Sequence, residues 1–275
     1  MLRNKLKRWI YFPEYFIENF GKKLSGRGLD QPQKNGEFKL IEEIVKNHRS
    51  VKELCVLDVG ANLGIHTKKF LEFGVQISNL KILAIEPSPN TLKKLRESFD
   101  DERVSFGDYA VADEDGEREF FLDPTHQFSG SNSLYAHYYL KGETRTVKVK
   151  KIDSILSENH INHLTFLKID TEGAELDALV GAQKSMEAHK IDYIQIEYNQ
   201  TWIKSGASIE LLLGLCSSFK YKLYRITSRG LISIAVYNYL LEDFYYQNLL
   251  LVSESAKNPM KIVKTALPPE ITDTQ

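Results

Sequence analysis

The segment Val56-Leu57-Asp58-Val59-Gly60-Ala61-Asn62-Leu63-Gly64 is a short apolar run with an acid near its end, then a glycine-bearing turn, then a helical pattern. One unit later, Ile82-Leu83-Ala84-Ile85-Glu86-Pro87 repeats the apolar run and again ends in an acid. An open parallel α/β sheet binds an adenosine-containing cofactor across its first two strands with this arrangement. The pattern therefore selects a doubly wound α/β fold and leaves the cofactor to be decided.

Two residues favour S-adenosylmethionine over a dinucleotide. Asn62 stands where a dinucleotide fingerprint carries its second glycine, the one that lets the backbone approach a pyrophosphate. A sulfonium cofactor has no phosphate to accommodate. Asp58, at the mouth of the strand, would repel a pyrophosphate and attract the cationic methionine end of S-adenosylmethionine. Glu86 is placed to accept hydrogen bonds from both ribose hydroxyls. A nicotinamide-dependent oxidoreductase on a similar sheet is the alternative, and a methyltransferase-like scaffold that only binds is another.

The 275 residues can form one large α/β domain with decorations. The net charge of −1 excludes a global polyanion-binding character, and no basic face or reader motif points to nucleic acid. Basic charge is local: Arg3, Lys5, Lys7, Arg8, Lys22, Lys23 and Arg27 precede Gly28, interleaved with Trp9, Ile10, Tyr11, Phe12, Phe16 and Phe20. Residues 1–24 could lie on an anionic membrane surface, pack on the domain or make a homo-oligomer contact. Pro13 and the acids after it make this stretch too short and polar for a signal peptide or a span. Cys55 and Cys216 show neither a disulfide framework nor zinc spacing. A cytoplasmic location is expected, peripheral to the membrane if the lead-in binds there.

Along the chain, residues 1–36 read as a lead-in, 37–255 as the main domain and 256–275 as a frayed tail. Phe38, Ile41, Ile44 and Val45 have helical spacing and suggest a helix on the sheet edge. Seven strands are predicted at 54–59, 81–86, 104–111, 165–170, 193–197, 221–226 and 249–252. Helical patterns cover 63–73, 88–99, 174–186 and 209–219, which makes a mostly parallel, doubly wound sheet. An insert at about 117–151 breaks the alternation with two runs at 119–122 and 146–151. These resemble antiparallel strands joined by a polar loop. That loop carries His126, Ser129, Ser131, Asn132, Ser133, Tyr135, His137, Tyr138 and Tyr139, which suit a polyhydroxylated acceptor.

Several motifs occur together. They are Leu57-Asp58-Val59-Gly60-Ala61-Asn62-x-Gly64, Ala84-Ile85-Glu86-Pro87-x-Pro89, Ala110-Val111-Ala112-Asp113-x-x-Gly116 and Ser131-x-Ser133-Leu134. The last is Leu167-Lys168-Ile169-Asp170-x-Glu172-Gly173-x-Glu175, with Gly181 after it. With these in order over about residues 50–255, the chain resembles the FkbM family of S-adenosylmethionine-dependent methyltransferases. The resemblance implies a class I, Rossmann-like methyltransferase fold. It also implies O-methylation of a hydroxyl, on a sugar or glycan or on another secondary metabolite.

Asp58, Gly60, Asn62 and Gly64 are expected to line the methionine part of the cofactor pocket and Glu86 its ribose part. Asp108 is placed to meet the adenine amino group, or is a solvated strand-end acid. Asp170 and Glu172 end the fourth strand where strand order reverses, the place where open α/β sheets bind ligands. They are candidates for base or metal ligand, although Glu172 could instead cap the next helix. Glu197 and Asn199 face the same crevice. With Asp170 and Glu172, Glu197 could hold Mg²⁺ or a similar hard cation. His66, in the first turn after the glycines, is a second candidate base or a packing histidine. Lys168 should share a face with Asp170 and pair with it, and Glu175 should point to solvent or to the helix start.

Overall fold

The structure is a computed structural model that describes residues 28–49, 53–123, 130–136 and 143–263. A single turn, α1 (Pro32–Asn35), ends at Gly36, whose φ of 106° hands over to α2 (Glu37–Asn47). A Cβ on Gly36 would lie 2.4 Å from the Thr227 carbonyl oxygen, so this junction is pressed against the sheet. α2 buries Leu40, Ile41, Ile44 and Val45 in one cluster with Val56, Phe166, Tyr193, Leu250 and Ile226. It therefore crosses the middle of one face of the sheet, not its edge.

The chain continues through β1 (Leu54–Val59), α3 (Ile65–Phe73), β2 (Leu80–Ile85), α4 (Pro89–Glu97) and β3 (Val104–Gly107). A side unit of β4 (Ala110–Val111), β5 (Gly116–Leu122) and β6 (Glu143–Lys150) follows. Next come α5 (Ile152–Glu158), β7 (Leu164–Ile169), α6 (Glu175–Val180), α7 (Gln183–Glu187) and β8 (Ile191–Tyr198). The last elements are α8 (Trp202–Ser205), α9 (Ile209–Ser218), β9 (Tyr221–Thr227), β10 (Gly230–Ser233) and β11 (Gln247–Ser253).

The main sheet has the order β10-β9-β11-β8-β7-β1-β2-β3. Its β3-β2-β1-β7-β8 half is parallel, and β11 runs antiparallel between β8 and β9. Strand order reverses between β1 and β7. Side chains alternate across the sheet: Cys55, Leu57, Val59, Leu167 and Ile194 face α5, α6, α7 and α9, whereas Val56, Phe166 and Tyr193 face α2 and α3. On that second face, toward the C-terminal strand ends, the alternation also places Asp58, Lys168, Gln195 and Glu197, all buried.

Four expectations change. The sheet has eight strands, not seven, because β10 folds back on β9 as a hairpin that pairs Thr227 with Gly230. The predicted strand 104–111 divides: β3 stays in the main sheet, whereas β4 pairs parallel with β6 in the side unit. The predicted helix 174–186 is two helices. Gly181 sits so close to Ala112 that a Cβ there would be 2.2 Å from its carbonyl oxygen, and Gly181 offers its own carbonyl to the Asp153 N–H at 2.9 Å. The first part of the tail also packs, since Met260 is buried and Leu231 pairs with Lys261 and Val263. The two insert runs do form an antiparallel pair, β5 with β6. The lead-in through residue 27, His126, Ser129, His137, Tyr138, Tyr139 and residues 264–275 lie outside the described residues. Among the described residues, no helix is long and apolar enough to cross a membrane.

Candidate active site

A cavity of about 980 Å³ opens over the C-terminal ends of β1, β2, β7 and β8. Gly130, Ser131, Asn132 and Leu134 of the insert line it from one side, and Phe244, Tyr245 and Tyr246 from another. It lies at the switch point of the sheet, where the two crossovers leave in opposite directions and part to leave a crevice.

The turn after β1 forms one wall. Gly60 adopts φ 76°, and a Cβ there would lie 1.8 Å from the Asp170 carbonyl oxygen, so only glycine fits. The N–H groups of Gly60 and Ala61 both donate to Ile85 O, at 3.0 and 2.9 Å. Asn62 follows at φ 48°, and its N–H donates to Glu86 Oε2 at 3.1 Å. Ser88 N–H donates to Glu86 Oε1 at 2.9 Å. Burial pushes the Glu86 carboxyl up to about 7, with Asp170 and Asp58 adding to the rise against those two donors. Asn62 Oδ1 is buried without a hydrogen-bond partner among the described residues. An orphaned amide oxygen, a glycine cradle and a strand-end acid in one wall fit the amino-acid and ribose parts of an adenosyl cofactor.

Three expected cofactor residues stand elsewhere. Asp58 lies beneath the turn: its Oδ2 accepts from Thr67 N–H at 3.2 Å and from Thr67 Oγ1 at 2.7 Å, tying β1 to α3. Gly64 starts α3 at φ 78° and backs onto Leu95 and Phe99 instead of the cavity. Asp108 is exposed and lines a separate groove with Arg96 and Arg145, while its neighbour Tyr109 reaches the main cavity.

The opposite wall is acidic. Asp170, Glu172 and Glu197 each bring a carboxylate oxygen within 4.8 Å of the others. Lys168, fully buried, sits 2.7 Å from Asp170 Oδ2, which is the expected pair. Burial alone would discharge this ammonium. The charges of Asp170, Glu37, Asp58 and Glu197 outweigh burial and hold its pKa above the usual lysine value. Asn199 Nδ2 bridges the two glutamates, 2.6 Å from Glu197 Oε1 and 3.3 Å from Glu172 Oε2. Burial, then repulsion by Asp170 and Glu175, pushes Glu172 up to about 8. Glu197 rises well above the carboxylate range for the same reasons, with Asp170 and Glu172 as its main repellers.

Glu172 has φ 55°, and its carbonyl oxygen accepts from Ser133 Oγ at 2.8 Å, so the insert is buttoned onto this turn. Of its two expected placements, solvent or the helix start, Glu175 takes the second, and it is buried. Its Oε1 accepts from Thr171 N–H at 2.9 Å and Oε2 from Gly173 N–H at 2.9 Å, so it folds the turn that presents Glu172. Burial pushes Glu175 up to about 7.

His66 lines the cavity, and its Nε2 lies 2.9 Å from Glu37 Oε2. Glu37 is only 1% exposed and also accepts from Asn35 Nδ2 at 2.6 Å and Gln195 Nε2 at 2.6 Å. Burial would raise this carboxyl. The hydrogen bond and charge of His66, with Lys168 and Asn35, bring it down to about 2. No periodicity or motif identifies Glu37 as part of the site, whereas Ser133 and Glu175 stand in the motifs Ser131-x-Ser133-Leu134 and Glu172-Gly173-x-Glu175, which do not show what they bond. The only local sign for Glu37 is Gly36, which lets it begin a helix directly over the sheet.

A parallel half-sheet reversed at β1 and β7, with β11 antiparallel beside β8 and a glycine turn after β1, defines a Rossmann-like fold of the S-adenosylmethionine-dependent methyltransferase class. The model of the Methyltransferase FkbM domain matches residues 58–226, more than half of the chain, and the chain belongs to that family. It is 23% identical over 198 residues to the 2-O-methyltransferase NoeI of Sinorhizobium fredii (strain NBRC 101917 / NGR234), covering 64% of this chain and 79% of that protein. A structure of methyltransferase FkbM from Methylobacillus flagellatus KT aligns with TM-score 0.48 and 18% identity over 73% of this chain. The present chain covers 44% of that structure's length. M. capricolum TrmK, in complex with S-adenosylhomocysteine, aligns with TM-score 0.38 and 11% identity, covering 76% of this chain and 67% of TrmK.

Proposed function

We propose that the chain transfers the methyl group of S-adenosylmethionine to a hydroxyl of a saccharide, free, nucleotide-linked or lipid-linked, with His66 as the base. The observation that carries this reading is His66, a basic ring on the cavity wall with one nitrogen secured by an ionised carboxylate. Transfer to oxygen is in keeping with the likeness to NoeI, a 2-O-methyltransferase. A wall of Ser131, Asn132, Asn199, Glu172 and Tyr245 offers many donors and acceptors to a polyhydroxylated acceptor.

Gly60, Asn62 and Glu86 would hold the cofactor, with Asp58 and Gly64 supporting the turn that presents them. Bound there, it would supply the methyl carbon, the acceptor oxygen gaining an O–C bond as the C–S bond breaks and leaves S-adenosylhomocysteine. His66 takes the hydroxyl proton, because an alcohol is a poor nucleophile while it keeps that proton. The walls orient the acceptor and exclude water, as an in-line displacement requires. Asp170 has one oxygen tied to Lys168 and offers the other as an alternative proton acceptor.

The test is methyl-labelled S-adenosylmethionine with the purified protein and fractionated saccharide, glycolipid, RNA, protein and small-metabolite pools. Label in a saccharide fraction supports the reading. Label confined to another pool removes the sugar assignment and keeps the methyltransferase. If S-adenosylhomocysteine fails to bind and NAD binds instead, the cofactor assignment is wrong.

A second reading adds a divalent cation on Asp170, Glu172 and Glu197, favoured by their convergence within 4.8 Å. The all-oxygen donor set suits Mg²⁺. Lys168 and Asn199 already supply positive charge to Asp170 and hydrogen bonds to Glu197 and Glu172, so the protein's own groups meet part of what a cation would supply. Turnover lost on chelation and restored by Mg²⁺ would support the cation. Turnover unchanged by chelation removes it.

A further inference from the structure

We propose that Glu37, which lies before the region matched by the family model, is the positioning residue of this reaction. It fixes the tautomer of His66 and stabilises the imidazolium that forms when His66 takes a proton. The proposal rests on the reading of His66 as the base.

The argument is one of donors and acceptors. Glu37 already accepts from the amide donors Asn35 Nδ2 and Gln195 Nε2 on its two oxygens, and as a carboxylate it can only accept hydrogen bonds. The ring nitrogen 2.9 Å from Glu37 Oε2 must therefore carry the proton. In neutral His66 that leaves Nδ1 with the lone pair, on a ring that lines the cavity. When Nδ1 takes the acceptor's hydroxyl proton, the ring becomes cationic against an anion already in place, with no reorganisation. Glu37 itself keeps no proton at any stage.

Glu37 is held rigidly enough for this task. Asn35 Nδ2 donates to its Oε1, and Glu37 N–H returns a bond to Asn35 Oδ1 at 3.0 Å. Gln195, from β8 and 0% exposed, donates to Oε2 and reaches Asn248 Oδ1 at 3.1 Å. Asn248 Nδ2 in turn meets the hydroxyl of Tyr246, another cavity residue, at 3.3 Å. The ring of Phe38 packs edge-on to His66 with centroids 6.0 Å apart and sets its plane. A histidine that merely packs would not need a carboxylate buried at the first residue of α2.

The first measurement is the ¹⁵N spectrum of the histidine rings in the wild-type protein, with His66 assigned by comparison with His66→Gln. Neutral His66 should be the Nε2–H form, and an Nδ1–H form overturns the proposal. In Glu37→Gln, the carboxamide NH₂ can donate to Nε2 and reverse the tautomer. Turnover should then fall by about a hundredfold or more, within the usual contribution of general-base catalysis. KM for cofactor and acceptor should stay within about threefold, and Glu37→Asp should recover part of the loss. Wild-type turnover in Glu37→Gln overturns the positioning role. So does a defect confined to cofactor affinity, which would place the pair at the cofactor instead. His66→Gln with full turnover removes the base reading itself. An inactive His66→Gln beside a fully active Glu37→Gln removes only the role of Glu37.

Discussion

Gly60 and Asp170 meet backbone to backbone at the switch point of the sheet: a Cβ on Gly60 would fall 1.8 Å from the Asp170 carbonyl oxygen. The turn after β1 and the acidic wall are thus one structural unit, and Asp170 N–H completes it by donating to Val59 O at 3.0 Å. Gly60→Ala should lose at least about 2 kcal/mol of stability, from the positive φ and the overlap together. S-adenosylhomocysteine binding should be abolished. Urea unfolding and calorimetric titration check both. A variant with wild-type affinity would mean that β1 and β7 can separate without cost to the cradle.

Asp58 serves Thr67 through two hydrogen bonds, and both residues are buried. Asp58→Ala leaves the Thr67 N–H and hydroxyl without this acceptor and should cost about 2 kcal/mol, the penalty of an unsatisfied buried polar group. Affinity for S-adenosylhomocysteine, measured on the folded fraction, should fall less than in Glu86→Ala. The reverse order would return Asp58 to direct contact with the cofactor.

Glu175 is held up to about 7 in the folded chain, against an ordinary value of 4.5. Below 4.5 it is neutral in folded and unfolded chains alike. As pH rises from 4.5 toward 7, the unfolded chain releases this proton first, so stability declines across that window and levels off above it. Glu175→Gln removes the decline. The difference in unfolding free energy between wild type and variant should therefore change with pH by on the order of 1–3 kcal/mol between pH 4.5 and 7.5. A flat difference would show that Glu175 titrates alike in both states.

Ser133 Oγ donates to Glu172 O and accepts from Tyr135 N–H at 3.0 Å, while the Ser133 backbone pairs with Phe121. Ser133→Ala should cost about 1–2 kcal/mol locally. Amide exchange at Tyr135 should speed up by tenfold or more, with exchange in β1 and β7 unchanged. Equal acceleration everywhere would mean that the insert is integral to the global fold.

The parallel half of the sheet could be read from the sequence because each strand there is an apolar run ended by a turn signal, and both properties are local. The same holds for Gly60, Asn62, Glu86, Asp170 and Glu172, which lie at strand ends where connectivity alone puts them near one another. Lys168 beside Asp170 follows from alternation. The hairpin strand β10 was not legible, since its apolar residues Leu231, Ile232 and Ile234 become a strand only through the turn between Thr227 and Gly230 and the pairing with β9. The break between β3 and β4 falls at Gly107-Asp108, and only the change of partner, from β2 to β6, shows that the chain leaves the main sheet there.

The sequence by itself determined the fold class, the glycine turn after β1 and the acids at the strand ends facing it, because hydrophobic periodicity and turn chemistry act over a few residues. Tertiary structure alone decided that Glu37 meets His66, 29 residues away in sequence, and Gln195, 158 residues away. It also decided that Glu175 is buried in its own turn and that Asp58 serves Thr67. Those outcomes depend on where α2 crosses the sheet and which strands meet at the switch point. Such placements are set by the packing of whole elements, and no local pattern encodes them.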